Sequence, residues 1–175
     1  MTVVLALMLS LSAHGPAPKP KPIELFGEVK EASGGAGGSR ALLMVEGGEY
    51  QLHAAVEPSE SELKRLSGAK VRIFGIVGDP RIPGGKHVLV ERYEIVDVGD
   101  GVVPRIGQIA KLEINGGTRL LFVDAAGNAD LLPEGWGKKM MQHVGAKVWM
   151  VGSKNGKDFQ PQRFAILKTM EVENK

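Results

Sequence analysis

One phrase occurs twice in this chain, and this repetition constrains the fold more than any other feature of the sequence. Residues 66–78 read LSGAKVRIFGIVG, and residues 143–153 read HVGAKVWMVGS. The shared GAKV recurs 77 positions later, a spacing that fits a small folding unit and indicates a duplicated supersecondary structure. The chain is therefore interpreted as a tandem duplication.

The equivalence between the two units extends well beyond the repeated phrase. Gly27 aligns with Gly107, Val45 aligns with Val123, and ERYEIV near the end of the first unit corresponds to QRFAIL in the second. In the first unit, ALLMV and EYQLHA are apolar segments separated by a Gly-Gly pair. Such a two-residue glycine turn is typical of a hairpin, so these segments are predicted to be paired strands.

A short helix is predicted after the hairpin, followed by two more strands. Ser59 can cap the helix, Glu62 stands three residues later as in a capping box, and Gly68 is a stop signal. The next strand contains Gly75, where a barrel strand would bend or bulge. The last strand is predicted at 88–96. Four residues are expected to face the two cores: Val71, Ile73, Val148 and Met150.

Three strands, a helix and two strands are the elements of the OB-fold, a small five-stranded barrel. The 24 glycines among 175 residues fit short strands and tight turns. The predicted fold class is therefore all-β with short helices, arranged as two tandem OB-fold-like five-stranded barrels. The first barrel is expected at 23–98 and the second at 104–170, with Gly99, Asp100 and Gly101 as the joint.

The N-terminal residues have the character of an export signal. An apolar run from Val3 to Leu11 precedes small residues, and it is too short to span a bilayer. Residues 1–15 are predicted to be a signal peptide and residues 16–22, rich in Pro and Lys, a stiff spacer. The mature protein is expected to be periplasmic or secreted, without a stable transmembrane span. The chain has no cysteine, so it has no disulfide framework.

The second unit resembles the bacterial periplasmic OB-fold (BOF) family of exported single-domain proteins. The resemblance lies in an F-x-D-x-x-G turn, a Trp before the helix and a K-V-x-[IV]-x-G strand. The first unit keeps the strand but lacks the Phe, Asp and Trp. The resemblance implies an envelope location and small-ligand binding, and it carries no catalytic residue. The matching residues are Phe122, Asp124, Gly127, Trp136, Lys147, Val148 and Gly152.

The sequence contains no recognisable catalytic or metal-binding constellation. Its four histidines, His14, His53, His87 and His143, are far apart and lack metal-ligand spacing, so they are interpreted as structural or surface residues. The glycine-rich loop at 32–39 lacks the following helix that a phosphate cradle needs. A non-enzymatic protein without a cofactor or metal is therefore predicted.

Charge divides unequally between the two units. Residues 23–103 contain nine Lys and Arg against thirteen Asp and Glu, a formal −4, and residues 104–175 contain eleven against seven, a formal +4. Complementary potentials orient binding, so the halves could attract each other or a second molecule, and an anionic partner should meet the second unit. The candidate binding residues are Arg72, Trp149, Lys138, Lys139, Lys154 and Lys157.

Two functions remain open on these grounds. The favoured function is an exported binding module that engages a protein partner or a small anionic envelope ligand through its barrel faces and loops. The alternative is a single-stranded nucleic-acid-binding OB protein. Nucleic-acid binders combine a basic groove with several stacking aromatics, whereas this chain has a formal net charge of +2 and 5% aromatic residues. Nucleic acid is therefore the less favoured partner.

Overall fold

The structure is a computed structural model that describes residues 21–33, 38–77, 86–114, 116–156 and 158–169. The predicted signal peptide at 1–15, most of the spacer, and the candidate residue Lys157 lie outside the described residues. His14 and the centre of the glycine-rich loop lie outside them as well.

The first half of the chain forms a closed five-stranded barrel in the strand order β1-β2-β3-β5-β4. All neighbouring strands run antiparallel except β3 and β5, which pair in parallel and close the barrel. The elements are β1 (Lys21–Ser33), β2 (Ser39–Val45), β3 (Gly48–Ala54), α1 (Glu60–Lys64), β4 (Lys70–Val77) and β5 (His87–Asp97).

The second half repeats this topology in a second closed barrel, with the order β10-β8-β7-β6-β9. Its closing parallel pair is much shorter, because β8 has three residues and meets β10 only between Leu131 and Asp158. The elements are β6 (Arg105–Ile114), β7 (Gly117–Asp124), β8 (Ala129–Leu131), α2 (Glu134–Met140), a 3₁₀ helix (Met141–His143), β9 (Lys147–Asn155) and β10 (Asp158–Lys168). The predicted fold class is confirmed.

Each barrel has its own apolar core, and the predicted inward positions are confirmed. Val71, Ile73, Val148 and Met150 are all fully buried. The register of β4 against β5 shifts at Gly75, so the predicted irregularity at this glycine is also confirmed. The alternation of residues along these strands predicted the inward face correctly, because successive side chains point to opposite sides of a sheet.

The short helix α1 begins as predicted but uses its glutamate differently. The Ser59 side chain accepts a hydrogen bond from the Glu62 N–H at 3.3 Å, which caps the helix. In a capping box the Glu62 carboxylate would return to the N-cap. It is instead fully buried and contacts Tyr93 and Lys147. The capping-box role is therefore wrong, and Glu62 belongs to the contact between the barrels.

The segments that flank the first barrel differ slightly from the expected boundaries. β1 begins at Lys21, and Pro22 pairs with Ile76, so the end of the expected spacer belongs to the barrel. At the other end, Gly99, Asp100 and Gly101 all have positive φ values, in a turn that precedes β6. Among the described residues, no helix combines the length and apolar character that a bilayer span requires.

Candidate functional site

A groove between β7 and α2 on the second barrel combines apolar and cationic side chains. Its volume is about 430 Å³, and Leu120 and Leu132 form its buried floor. Arg119, Lys138 and the partly exposed Met141 line its rim. An apolar floor beside a few polar groups is the usual composition of a small-ligand site. We call this feature the β7–α2 groove.

The two cations of the β7–α2 groove make few or weak polar contacts with other residues. The Arg119 Nε is buried without a hydrogen-bond partner in the described part of the chain. Its Nη1 lies 3.9 Å from the Glu134 Oε1, and Glu134 is 85% exposed, so water weakens this pair. Lys138 is exposed and makes no ion pair with a described residue. Both cations can therefore serve an incoming anion.

Lys139 lies on the same helix but has a different neighbour. Its Nζ lies 5.5 Å from the centre of the Trp136 ring. Trp136 in turn packs edge-on against Phe164, with ring centres 5.5 Å apart, and joins the core of the second barrel. Lys139 thus partly covers a core aromatic, and Trp136 packs within its own barrel.

Lys154, predicted as a binding residue, is paired with a buried carboxylate. Its Nζ lies 2.6 Å from the Asp130 Oδ1, and Asp130 is 1% exposed. Arg105 contacts the other oxygen of Asp130 and lies 3.1 Å from the Asp124 Oδ2. Burial raises the pKa of Asp130, but hydrogen bonds from Lys154 and Arg105 outweigh it, so its pKa lies below the usual range. Lys154 therefore neutralises a buried charge within its own barrel.

The F-x-D-x-x-G motif forms the turn between β7 and β8. Asp124 accepts hydrogen bonds from the backbone N–H groups of Ala126 and Asn128, and Gly127 has a φ of +82°. Hydrogen bonds from Asn128, the largest influence, lower the pKa of Asp124. The preceding Phe122 is fully buried against Phe159. The motif thus has a structural role in shaping the barrel end.

Arg72, the candidate on the first barrel, is surrounded by carboxylates. Its Nε lies 3.2 Å from the Glu24 Oε1, and its Nη1 lies 3.7 Å from the Glu94 Oε2. All three side chains are about half exposed on the outer face of β1, β4 and β5. Arg72 thus already has two acidic neighbours at shorter distances than the Arg119–Glu134 pair, although water weakens these exposed pairs as well.

A second cavity, of about 640 Å³, lies between the barrels. The fully buried Glu62 of α1 accepts a hydrogen bond from the Lys147 Nζ at 2.6 Å and another from the Tyr93 hydroxyl, while its Oε2 has no partner among the described residues. Lys168 forms an ion pair with Glu57 across the same cleft. The acidic side of the first barrel thus meets lysines of the second.

Apolar residues of the second barrel complete this contact. Leu167 is fully buried in the core cluster of the first barrel, and Ile106 and Trp149 pack against that cluster. Trp149 was predicted as a candidate binding residue. The structure places it in the contact between the barrels, where Glu62 and Lys147 also meet.

Replacing Lys147 should test how far this contact stabilises the molecule. Lys147→Met leaves the buried Glu62 carboxylate without its cation, so we expect the free energy of unfolding to fall by about 1–3 kcal/mol. Lys111→Met, at an exposed lysine of β6, is the matched control and should change it by less than about 0.5 kcal/mol. Chemical denaturation of both variants measures the difference. Equal stability of the two would contradict the assigned role of Lys147.

The structure brings together two histidines that the sequence left apart. The His53 Nε2 lies 3.0 Å from the His87 Nδ1, and the His53 Nδ1 lies 3.8 Å from the Glu60 Oε1. In the sequence the two histidines are far apart and lack metal-ligand spacing, so this contact was not predicted. Their contact was missed because the two histidines lie on different strands, 34 positions apart in the sequence. No spacing rule covers such a pair.

Comparisons with known proteins add one distant likeness. No family model matches the chain, and no curated protein matches it. Among solved structures, it is similar to one described as the crystal structure of the tetrameric p202 HIN2, with 10% sequence identity and a TM-score of 0.26. The match covers 85% of this chain and 91% of that chain. A likeness of this size carries no conclusion about function.

Proposed function

We propose that the protein is an exported, non-enzymatic tandem OB-fold module that binds an acidic protein segment or a small anionic ligand of the cell envelope. The binding site is the β7–α2 groove of the second barrel. Membership of the periplasmic OB-fold family is part of this proposal and is supported by the residue pattern of the second unit.

The proposal rests on one observation: the candidate cations differ in how closely carboxylates of the same barrel pair with them. Arg72 and Lys154 are held by carboxylates of their own barrels. Arg119 and Lys138 instead line a groove with an apolar floor. A guanidinium can bind a carboxylate or phosphate through two hydrogen bonds, and the neighbouring ammonium adds charge. A ligand with an acidic group next to an apolar portion fits this combination.

The unpartnered Arg119 Nε adds a reason for a ligand to bind. A buried donor without an acceptor raises the free energy of the unliganded protein by about 1–3 kcal/mol. A modest rotation of the side chain toward a bound anion would give this N–H an acceptor. Binding would therefore relieve a cost that is present in the free protein.

Binding of a fluorescein-labelled oligoglutamate peptide tests the site. Lys138→Glu should weaken binding about tenfold at ~50 mM salt, because it places a negative charge on the groove rim. The difference should shrink near ~0.5 M salt, where the Debye length is only a few ångströms. Fluorescence anisotropy at both salt concentrations measures the effect. Arg119→Gln should weaken binding in the same direction.

Lys30→Glu supplies the control, because it makes the same charge change at an exposed residue of β1 in the first barrel. The groove would be excluded as the site if the two lysine substitutions weakened binding equally, or if the effect of Lys138→Glu were the same at both salt concentrations. A labelled oligothymidylate bound more tightly than the peptide would instead favour the nucleic-acid function.

Export is tested separately. We expect to find the protein in the periplasmic fraction or the medium, with its N-terminal segment cleaved near residue 15. Intact mass measurement of the fractionated protein determines both. Full-length protein in the cytoplasm would contradict export while leaving the binding site open to its own test.

A further inference from the structure

His53 and His87 meet at the line along which the first barrel closes. His53 lies on β3 and His87 on β5, the two strands that pair in parallel. In this pairing His87 stands opposite Gln51, so the histidines are diagonal neighbours on one face. The intervening Leu52 and Val88 are buried in the core, which places both rings on the outer side of the barrel.

The geometry of the two rings suits a shared metal ion. Their facing nitrogens, His53 Nε2 and His87 Nδ1, are 3.0 Å apart. Two imidazoles on one tetrahedral zinc, with Zn–N distances of about 2.0–2.1 Å, have nitrogens about 3.3 Å apart. The ion would be admitted if the two nitrogens moved apart by a few tenths of an ångström and both rings turned so that their lone pairs converged on it. The rings are inclined at 44° to each other, with centres 5.1 Å apart.

A carboxylate lies behind His53, on the side away from His87. The Glu60 Oε1 is 3.8 Å from the His53 Nδ1, and it is held by the Ala54 N–H at 2.9 Å. Histidine ligands commonly direct their second nitrogen toward such a carboxylate, which selects the tautomer and orients the ring. With the proton on Nδ1, the Nε2 lone pair of His53 points toward His87.

The cations that neighbour the two histidines have other partners. Lys86 has its Nζ 5.6 Å from the centre of the Tyr50 ring, and the Nη1 of Arg40 lies 3.4 Å from the Gln51 side chain.

We propose that His53 and His87 form a binding site for a divalent first-row transition-metal ion such as Zn²⁺. Two ring nitrogens ligate the ion, Glu60 positions His53, and water completes the coordination. The described residues contain no group of three or more potential protein ligands, so the proposed site has two protein ligands. Imidazole nitrogen favours Zn²⁺, Cu²⁺ or Ni²⁺ over Mg²⁺ and Ca²⁺, which prefer oxygen ligands.

The bound ion would join β3 to β5, two strands that no short turn connects. Because the ion binds the closed barrel through ligands that separate on unfolding, it stabilises the folded state. The second barrel has a much shorter parallel closure, a single residue pair, and no corresponding histidines. Stabilisation by the metal ion is therefore expected for the first barrel alone. It is independent of anion binding at the β7–α2 groove.

Titration of the full chain with ZnCl₂ tests the site. The protein is purified without a polyhistidine tag, and calorimetry is performed at neutral pH. We expect saturable binding at metal concentrations below about 100 µM, with His53→Gln and His87→Gln each weakening it by at least about tenfold. Glu60→Gln should weaken it by up to about tenfold, as expected for an outer partner.

His143→Gln is the matched control, because His143 is a histidine of the second barrel whose Nε2 contacts Gln142. It should retain wild-type affinity and the same rise in melting temperature on adding ZnCl₂. Replacing ZnCl₂ with MgCl₂ should abolish the rise. Circular dichroism of each variant establishes that the barrel is folded.

A spectroscopic measurement on the unmodified protein covers the case in which a variant fails to fold. On adding ZnCl₂, the ¹⁵N resonances of His53 Nε2 and His87 Nδ1 should shift selectively, while those of His143 stay in place. Absence of zinc binding, equal affinity of the His53→Gln and His143→Gln variants, or shifts confined to other histidines would overturn the proposal. Any of these results would leave a simple hydrogen bond between the two rings.

Discussion

Val148→Asp should lower the free energy of unfolding by at least about 4 kcal/mol, because it places a charge without a partner in an apolar core. Val148 is fully buried on β9 and packs in the core cluster that contains Phe122 and Met150. It pairs with Gly107 on one neighbouring strand and Ile166 on the other. A central position of this kind leaves the new carboxylate no route to water.

The control for this prediction is Val56→Asp, since Val56 is 85% exposed. It should change stability by less than about 0.5 kcal/mol. Urea denaturation followed by circular dichroism measures both variants. If Val148→Asp does not fold, Val148→Ala should still show a loss of about 2 kcal/mol from the cavity it creates. Wild-type stability of either Val148 variant would show that the inward face of β9 is assigned wrongly.

Gly75→Ala should be nearly as damaging, for a steric reason. A Cβ atom at Gly75 would lie 2.2 Å from the Leu89 carbonyl oxygen on β5, where the backbone cannot easily move. The loss should be about 3 kcal/mol, at the upper end for overpacking. The corresponding glycine of the second barrel, Gly152, would bring a Cβ atom 2.2 Å from the Gln160 carbonyl oxygen. Gly152→Ala should therefore repeat the effect.

Gly135→Ala should instead raise the free energy of unfolding. Gly135 lies in α2, and a Cβ atom there would have open space around it. Alanine lowers the conformational entropy of the unfolded chain and favours the helix, so this variant should gain about 0.5–1 kcal/mol. Thermal and urea unfolding of the three variants provide the comparison. A Gly75→Ala protein as stable as the wild type would mean that β4 and β5 lie farther apart at this point.

The architecture of this protein could be predicted because the relevant signals are local and occur twice. Alternation at Val71 and Ile73 indicated an inward face, Ser59 indicated a helix start, and Gly75 indicated an irregular strand. Each depends on a few neighbouring residues, whose backbone preferences act wherever the segment lies. Repetition then indicated two barrels, since equivalent segments adopt equivalent structures.

The candidate site was predicted only in part. The net positive charge of the second unit directed attention to Lys138 and Lys139, and both are exposed on α2. Nothing in the sequence distinguished them from Lys154, whose ammonium is held by the buried Asp130. Arg119 was not selected, since a single arginine in a strand carries no signal until a helix forms a groove beside it. Charge counts report how many cations exist and leave their partners undetermined.

Partners that are distant in the sequence were decided by the tertiary structure. Glu62 has the spacing of a helix cap, yet it is buried against Lys147, 85 positions away. Trp149 alternates with core residues and so lies on the outer face of its strand, but that face packs against the other barrel. His53 and His87 meet only because two parallel strands close the first barrel. Periodicity determines which way a side chain points, whereas chain closure and the packing of one barrel on the other determine what it meets.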